Sequence, residues 1–409
     1  MGKQPGMRRR ILFLTPQLPY PPQQGTAIRN YNLIAQVARQ HEVHVLSFVD
    51  PQSPAMDAGP LRDICASLNT LPTPQRSNLH RLRTVLLSPL PDLAYRLSSA
   101  AFQHKLATLL RETRPDVLQI EGLELAQYGL WAGGKAATLL VFDAHNAEYL
   151  LQQRIFETDA RHPRRWLGAL YSWLQWHKLR RYEALVCRQA GRVIACSPAD
   201  ADALSRLVPG LSPIIVPNGV DTQAYRPGVV APAALSNQTL VFTGKMDFRP
   251  NVDAMLWFCS EVLPLIQVRC PEAHLYIVGK NPHPRLAPLT HQKGVTLTGY
   301  VADVRPYIAA AAIYVVPLLT GGGTRLKVLE AMAMGKAIVS TTLGCEGIPA
   351  AAGQEVILAD TAVDMAAQVL ALLSNEAQQA RLGRAARAFV ERHFDWQTVT
   401  RPLEQAYAH

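Results

Sequence analysis

The stretch Ile313-Tyr-Val-Val-Pro-Leu-Leu-Thr-Gly-Gly-Gly-Thr-Arg-Leu-Lys-Val-Leu-Glu330 runs on into Ala-Met-Ala-Met-Gly335. It joins a short β-branched apolar run to a segment in which Leu326, Leu329 and Ala333 share one helical face. Strand, glycine turn and helix in that order make the repeating unit of a doubly wound α/β sheet. Glycines 321–323 let backbone N–H groups approach a ligand closely, and the start of the helix adds partial positive charge. Arg325 and Lys327 add formal charge, so a phosphate or diphosphate is the favoured guest. Glu330 would repel phosphate and suits hydroxyls, such as those of a ribose. On these residues alone, a flexible turn ahead of a solvated helix face is an equal alternative.

The same rhythm extends both ways. Upstream, Arg10-Ile-Leu-Phe-Leu-Thr15 reads as a buried strand, followed by a helix near 29–39. His44-Val-Leu-Ser-Phe-Val49 and residues 117–120, 138–142, 193–196 and 213–216 read as further strands. Short apolar runs bounded by turn residues suit parallel strands covered on both faces. After Pro217-Asn218-Gly219 and the loose segment 227–238 the rhythm restarts, with strands at 239–242, 275–278, 295–297, 313–316 and 337–340. Two such series predict two Rossmann-like domains. Ligands of these sheets bind beyond the carboxyl ends of the strands, so a central cleft between the domains is the expected site. The expected limits are 1–218, 219–386, and a last helix over 387–409.

The chain has 409 residues, 48% hydrophobic and 18% charged, which fits a well-cored soluble protein of two domains. Its six cysteines form no C-x-x-C, so a reduced, cytoplasmic setting is expected. The apolar run after Arg8-Arg-Arg10 stops at Pro16, too soon for a signal peptide, and no stretch is long and apolar enough to span a membrane. Residues 1–218 carry 25 of the 41 basic and 16 of the 31 acidic side chains, so nearly all of the +10 net charge lies there. That half is expected to meet something anionic. The first strand is followed by Pro16-Gln-Leu-Pro-Tyr-Pro-Pro-Gln-Gln-Gly25, not G-x-G-x-x-G, which argues against a nicotinamide dehydrogenase.

Four further segments accompany the glycine loop. They are Asp143-Ala-His-Asn-Ala-Glu-Tyr149, Val216-Pro-Asn-Gly-Val-Asp221, Phe242-Thr-Gly-Lys-Met-Asp-Phe-Arg-Pro-Asn-Val-Asp253 and Val295-Thr-Leu-Thr-Gly-Tyr-Val301. In this order they resemble the retaining GT-B glycosyltransferases usually called family 4. The resemblance covers nearly the whole chain and is strongest from 193 to 347. It implies a GT-B fold, a nucleotide-sugar donor held mainly by the second domain, and a glycan or lipid-linked acceptor held mainly by the first. It also implies a last helix, near 387–407, crossing back to the first domain. The expected activity is hexosyl-type transfer with retention, in cell-surface polysaccharide or glycolipid synthesis. No metal, cofactor or nucleic-acid partner is expected. A GT-B epimerase and a catalytically silent binding module stay open as alternatives.

Residue by residue, the resemblance assigns His145 and Lys245 to the reacting centre, His145 as a contact of the donor sugar. It assigns Gly25, Tyr300, Val301 and Glu330 to the donor, with Glu330 on the ribose. The family's mark is Glu, seven residues, Glu; here Gly322 stands at the first position, and the backbone of Gly322, Gly323 and Thr324 is expected to serve instead. A lysine common five residues after Lys245 is replaced by Pro250. Arg325, with Lys327 or Arg249, is expected to supply the missing cation, because fixed positive charge stabilises a departing diphosphate. Glu121, Asn146 and Glu148 are expected near the acceptor, though solvated glutamates are the plainer reading of Glu121 and Glu148. Asp200 and Asp202 have the spacing of a metal-binding D-x-D, but Ser197-Pro198-Ala-Asp200 reads better as a helix start. Residues 161–183 are rich in Trp, Lys and Arg. Trp166, Leu170, Trp173 and Leu174 share a face, with Trp176 at its edge, which suits either a core helix or a peripheral one on an anionic inner membrane face.

Overall fold

The computed structural model describes residues 8–22, 25–50, 58–133, 138–160, 166–236, 238–321 and 325–408, the side chain of His80 excepted. The chain divides into two compact units. One comprises residues 1–217 with 400–409, the other 218–399.

The first unit is built on a seven-stranded, all-parallel sheet. Its strands are β1 (Arg10–Thr15), β2 (Glu42–Val49), β3 (Ser67–Pro72), β4 (Val117–Glu121), β5 (Leu139–Ala144), β6 (Arg192–Ala195) and β7 (Ile214–Ile215), in the order β3-β2-β1-β4-β5-β6-β7. Every residue of β4 is buried, as are Ile11 to Thr15 of β1, because helices cover both faces. The order reverses between β1 and β4, so the carboxyl ends of these strands flank the crevice where such sheets bind ligands. Register pairs Glu121 of β4 with Asp143 of β5 at that end. The first helix runs Gly25–Val37, starting a turn earlier than the sequence indicates.

The second unit holds a six-stranded parallel sheet of β8 (Thr239–Thr243), β9 (His274–Val278), β10 (Val295–Gly299), β11 (Ile313–Val316), β12 (Ala337–Ser340) and β13 (Ile357–Leu358), in the order β10-β9-β8-β11-β12-β13. Its reversal lies between β8 and β11. Gly244-Lys245 follows β8, and Pro317 with the glycine loop follows β11. Topology alone therefore places Lys245 and the loop opening at the natural ligand crevice of this unit. Gly279, after β9, must be glycine: a Cβ there would lie 1.7 Å from the Gly244 carbonyl oxygen.

The single helix expected near 387–407 is three helices, Glu376–His393, Trp396–Val399 and Leu403–Tyr407. The break follows from a backbone hydrogen bond in which the Val220 N–H donates to the Phe394 carbonyl, pulling the chain out of helical register. The second unit accordingly closes at Val399 and not at 386. The last helix, with Tyr407 buried, packs against β5, β6 and β7 of the first unit.

Candidate functional site

In the first unit the side-by-side register of Glu121 and Asp143 puts two fully buried carboxylates together. Each has its own partner. Arg29, one turn into the first helix, grips Asp143 bidentately, Nε and Nη2 donating at 2.9 Å to separate oxygens, while Nη1 donates to the Val216 carbonyl at 2.9 Å. Glu121 accepts from Gln119 Nε2 at 2.6 Å and lies 3.1 Å from His145 Nε2. Burial, then the Asp143 charge, raises the Glu121 pKa, opposed by His145. Burial alone would lower the His145 pKa, but the Glu121 hydrogen bond and the charges of Asp143 and Glu121 outweigh it, and the imidazole is pushed above its ordinary value. Glu121 is thus a support for His145, fully covered, and not the acceptor contact the sequence pattern indicated. Donor atoms of Glu121, Asp143 and His145 lie within 4.8 Å of one another. The positive charge there is already supplied by Arg29.

His145, Asn146 and Glu148 do converge. With Thr26, Gly122 and Glu124 they line one small polar pocket. Gly122 has φ +87, a conformation that favours glycine, and a Cβ on it would press on Glu124 Oε2 at 2.8 Å. Burial, then Glu124, raises the pKa of Glu148, against the hydrogen bond from Asn146. The segment is held by carboxylates from elsewhere in the unit. Asp200 accepts from the Ala147 N–H at 3.0 Å; Glu183 accepts from those of Glu148 and Tyr149 at 3.0 and 2.9 Å. Asp200 also sits at the start of helix Pro198–Leu207, capped by Ser197 as its sequence predicts. Gly25 opens the first helix, and a Cβ on it would meet nothing within 4 Å, so the fold itself does not require glycine there.

In the second unit the cations are drawn inward. Lys327 Nζ donates to Asn251 Oδ1 at 2.9 Å and lies 3.9 Å from the centroid of the Phe242 ring. Asn251 is held in turn, its amide donating to the Lys245 carbonyl at 2.8 Å. A Cβ on Gly244 would stand 2.8 Å from both Lys327 Nζ and Asn251 Nδ2, so the glycine of Gly244-Lys245 is what admits the lysine. Arg325 is only 8% exposed, with its guanidinium against Gly321, which has φ +118. Burial, and then the Arg325 charge, lowers Lys327 to about 7; burial lowers Arg325 as well. One turn past Lys327, Glu330 bonds Tyr225, and its pKa is raised by burial against that bond and Lys327.

Other expected donor residues are less engaged. Lys245 is half-exposed, 3.7 Å from Asp247. Arg249 turns to Asp253, which also takes Arg285. Tyr300 and Val301 follow β10, the edge strand, with Tyr300 exposed. Gly322, Gly323 and Thr324 lie outside the described residues. Sequence reasoning missed Arg29, Asn251 and Tyr225. Asn251 directly follows Pro250, so the position after the lost lysine was the available signal.

Two family models match the chain, Glycosyltransferase Family 4 over residues 24–224 and Glycosyl transferases group 1 over residues 237–375. The chain belongs to the group 1 glycosyltransferases. The chain is 28% identical over 209 residues to a phosphatidyl-myo-inositol mannosyltransferase of Mycolicibacterium smegmatis, covering 48% of this chain and 52% of that one. The chain spans about half the length of the curated relatives it matches. Its fold is that of a sucrose-phosphate synthase from Thermosynechococcus elongatus, with TM-score 0.71, 17% identity and 98% of each chain covered. It also matches Anabaena HepE solved with UDP and glucose, with TM-score 0.64, 15% identity and 98% and 99% covered. The GT-B architecture is therefore established, with its two parallel sheets of seven and six strands. Among the described residues no helix is long and apolar enough to cross a membrane.

A diphosphate bound at Lys327, whose pKa is lowered to about 7, would make a testable linkage. The ammonium form binds the anion and the neutral form does not, so binding raises the Lys327 pKa, takes up a proton, and weakens as pH rises above 7. At pH 8, calorimetry of a nucleoside diphosphate sugar in buffers of different ionisation heat should show uptake of about 0.9 proton, lost in Lys327→Arg. Binding with no uptake in the native chain would contradict the assignment.

Proposed function

We propose that this glycosyltransferase moves a hexosyl group from a nucleoside diphosphate sugar to a hydroxyl of a glycan or lipid-linked acceptor, with retention, in polysaccharide or glycolipid synthesis. The observation that carries the reading is the inward pair Arg325 and Lys327 at the start of helix Leu326–Ala333, with Glu330 one turn beyond. Two buried cations, Arg325 lowered by burial and Lys327 by burial and the Arg325 charge, complement a diphosphate, and the carboxylate beyond them complements a ribose. Lys245 adds a third positive charge, and the Gly322–Thr324 backbone is assigned to the sugar side. In this reading those cations neutralise the leaving group without a metal. UDP as the leaving group is supported by the HepE complexes, and a lipid-linked acceptor by the name of the mannosyltransferase relative.

In the proposed step the acceptor oxygen bonds to the anomeric carbon as the bond from that carbon to the phosphate oxygen breaks. The acceptor proton passes to a phosphate oxygen of the departing nucleoside diphosphate. His145 contacts the donor sugar and positions it; Asn146 and Glu148 bind acceptor hydroxyls. Arg325→Ala should lower turnover about 10²-fold or more, with product anomers matching the donor's by NMR and donor consumption requiring acceptor. Turnover within a few-fold of native would remove Arg325 from the machinery, and acceptor-independent consumption would favour an epimerase.

The acceptor side is read as lying at an anionic membrane surface. Trp166, Leu170 and Trp173 are exposed on helix Trp166–Gln189, whereas Leu174 and Trp176 are half-buried, Trp176 stacking on Phe156. Residues 161–165 lie outside the described ones. A second helix, Asn78–Leu87, which the sequence reading overlooked, exposes Leu79, Leu82, Leu86 and Leu87. Lys178 ties the two helices by donating to the Val85 carbonyl at 2.6 Å. Exposed Arg81, Arg83, Arg180 and Arg181 supply charge for anionic headgroups. Co-sedimentation with vesicles should rise with anionic lipid content and fall in Leu82→Glu/Leu86→Glu. Binding independent of anionic lipid would overturn this placement.

A further inference from the structure

The last helix, Leu403–Tyr407, does more than close the first unit. Tyr407 is buried, and its hydroxyl donates to Gln119 Oε1 at 2.6 Å. Gln119 is fully buried on β4, and its Nε2 donates to Glu121 Oε1 at 2.6 Å. Glu121 Oε2 stands 3.1 Å from His145 Nε2. In the amide orientation that satisfies its neighbours, Asn30 also donates to Glu121 Oε2, at 2.9 Å.

The chemistry of these groups fixes the direction of each bond. An ionised carboxylate only accepts, so the Gln119 NH2 must face Glu121. The Gln119 carbonyl then faces Tyr407 and needs a donor, which the phenol provides. Burial, with the charges of Glu121 and Asp143, keeps that phenol protonated. The imidazole nitrogen facing Glu121 must carry a proton, which leaves Nδ1 as the open nitrogen of neutral His145. A Cβ placed on Gly122, beside the pocket, would lie 3.6 Å from Nδ1.

We propose that Tyr407 is a positioning residue for His145, acting through Gln119 and Glu121 to hold the Nε2–H tautomer with Nδ1 toward the pocket. The C-terminal residues are then part of the site, although Tyr407 itself touches no reactant. The functional consequence rests on the reading of His145 as a sugar contact; the tautomer does not. Without the phenol, the Gln119 carbonyl is buried without its donor, and the Gln119 bond that helps orient Glu121 loses its anchor.

The test is ¹⁵N NMR of the His145 ring in the full-length chain, at a pH where the ring is neutral and with the signal assigned by His145→Gln. The native chain should show Nε2 protonated and Nδ1 bare. Tyr407→Phe and, as a second variant, Gln119→Leu should each give a mixture of tautomers. Each should lower kcat about 10-fold, as loss of an orienting outer partner does, with donor KM nearly unchanged. The double variant should add little to either single one. If both variants keep the native tautomer and kcat, losing only thermal stability, Tyr407 is a structural anchor and the proposal falls. If the tautomer shifts but no donor is turned over even by the native chain, positioning holds and the glycosyl-transfer reading fails.

Discussion

The first unit depends on the neutralisation of two carboxylates that strand register forces together out of water. Glu121 and Asp143 are neighbours on β4 and β5 and both are wholly covered. Buried like charges repel, and each ion loses its hydration. The bidentate Arg29 pair meets one of them, and removing one partner of such a pair costs about 3–5 kcal/mol. His145 meets the other. Because Arg29 also donates to the Val216 carbonyl, the same guanidinium joins the first helix to β5 and to the chain leaving β7. The floor of the His145 pocket is therefore rigid for an electrostatic reason.

The second unit has the opposite polarity. At its crevice the covered charges are Arg325 and Lys327, and Gly244 leaves the space for Lys327. Gly279 allows the loop after β8 to close on the loop after β9, and Gly244 allows Lys327 to reach Asn251. Burial depresses both cations, against the nearby charges of Glu346 on Arg325 and Glu330 on Lys327. A diphosphate would favour the charged form of Lys327, which is why we read the helix Leu326–Ala333 as a donor-binding element and not merely as a packed one.

Much of this was legible in the chain itself. Buried parallel strands announce themselves as short apolar runs, so β1, β11 and β12 were read at their observed limits and the others within a few residues. β3 escaped because Ser-Leu-Asn-Thr-Leu-Pro, on an edge and only partly buried, has no such run; β13 is two residues long. His145, Asn146 and Glu148 were legible as a motif and do share a pocket. The role of Glu121 was not, because whether a glutamate at a strand end faces solvent or a neighbouring strand depends on register with β5. Arg29, Asn251 and Tyr225 act over long sequence separations, and no local pattern encodes their partners. Asp200 was correctly read as a helix start. Its hydrogen bond to Ala147 appears only once the fold is assembled.

The central claim is that the buried cations of the second unit hold a nucleoside diphosphate. It is tested most directly by a crystal structure of the chain with UDP, or with whichever nucleoside diphosphate binds best. The account predicts diphosphate oxygens within hydrogen-bond distance of Lys245 and of Arg325 or Lys327, with the ribose hydroxyls on Glu330. A nucleotide bound elsewhere, with Lys327 still donating only to Asn251 and Glu330 still bonded to Tyr225, would contradict it.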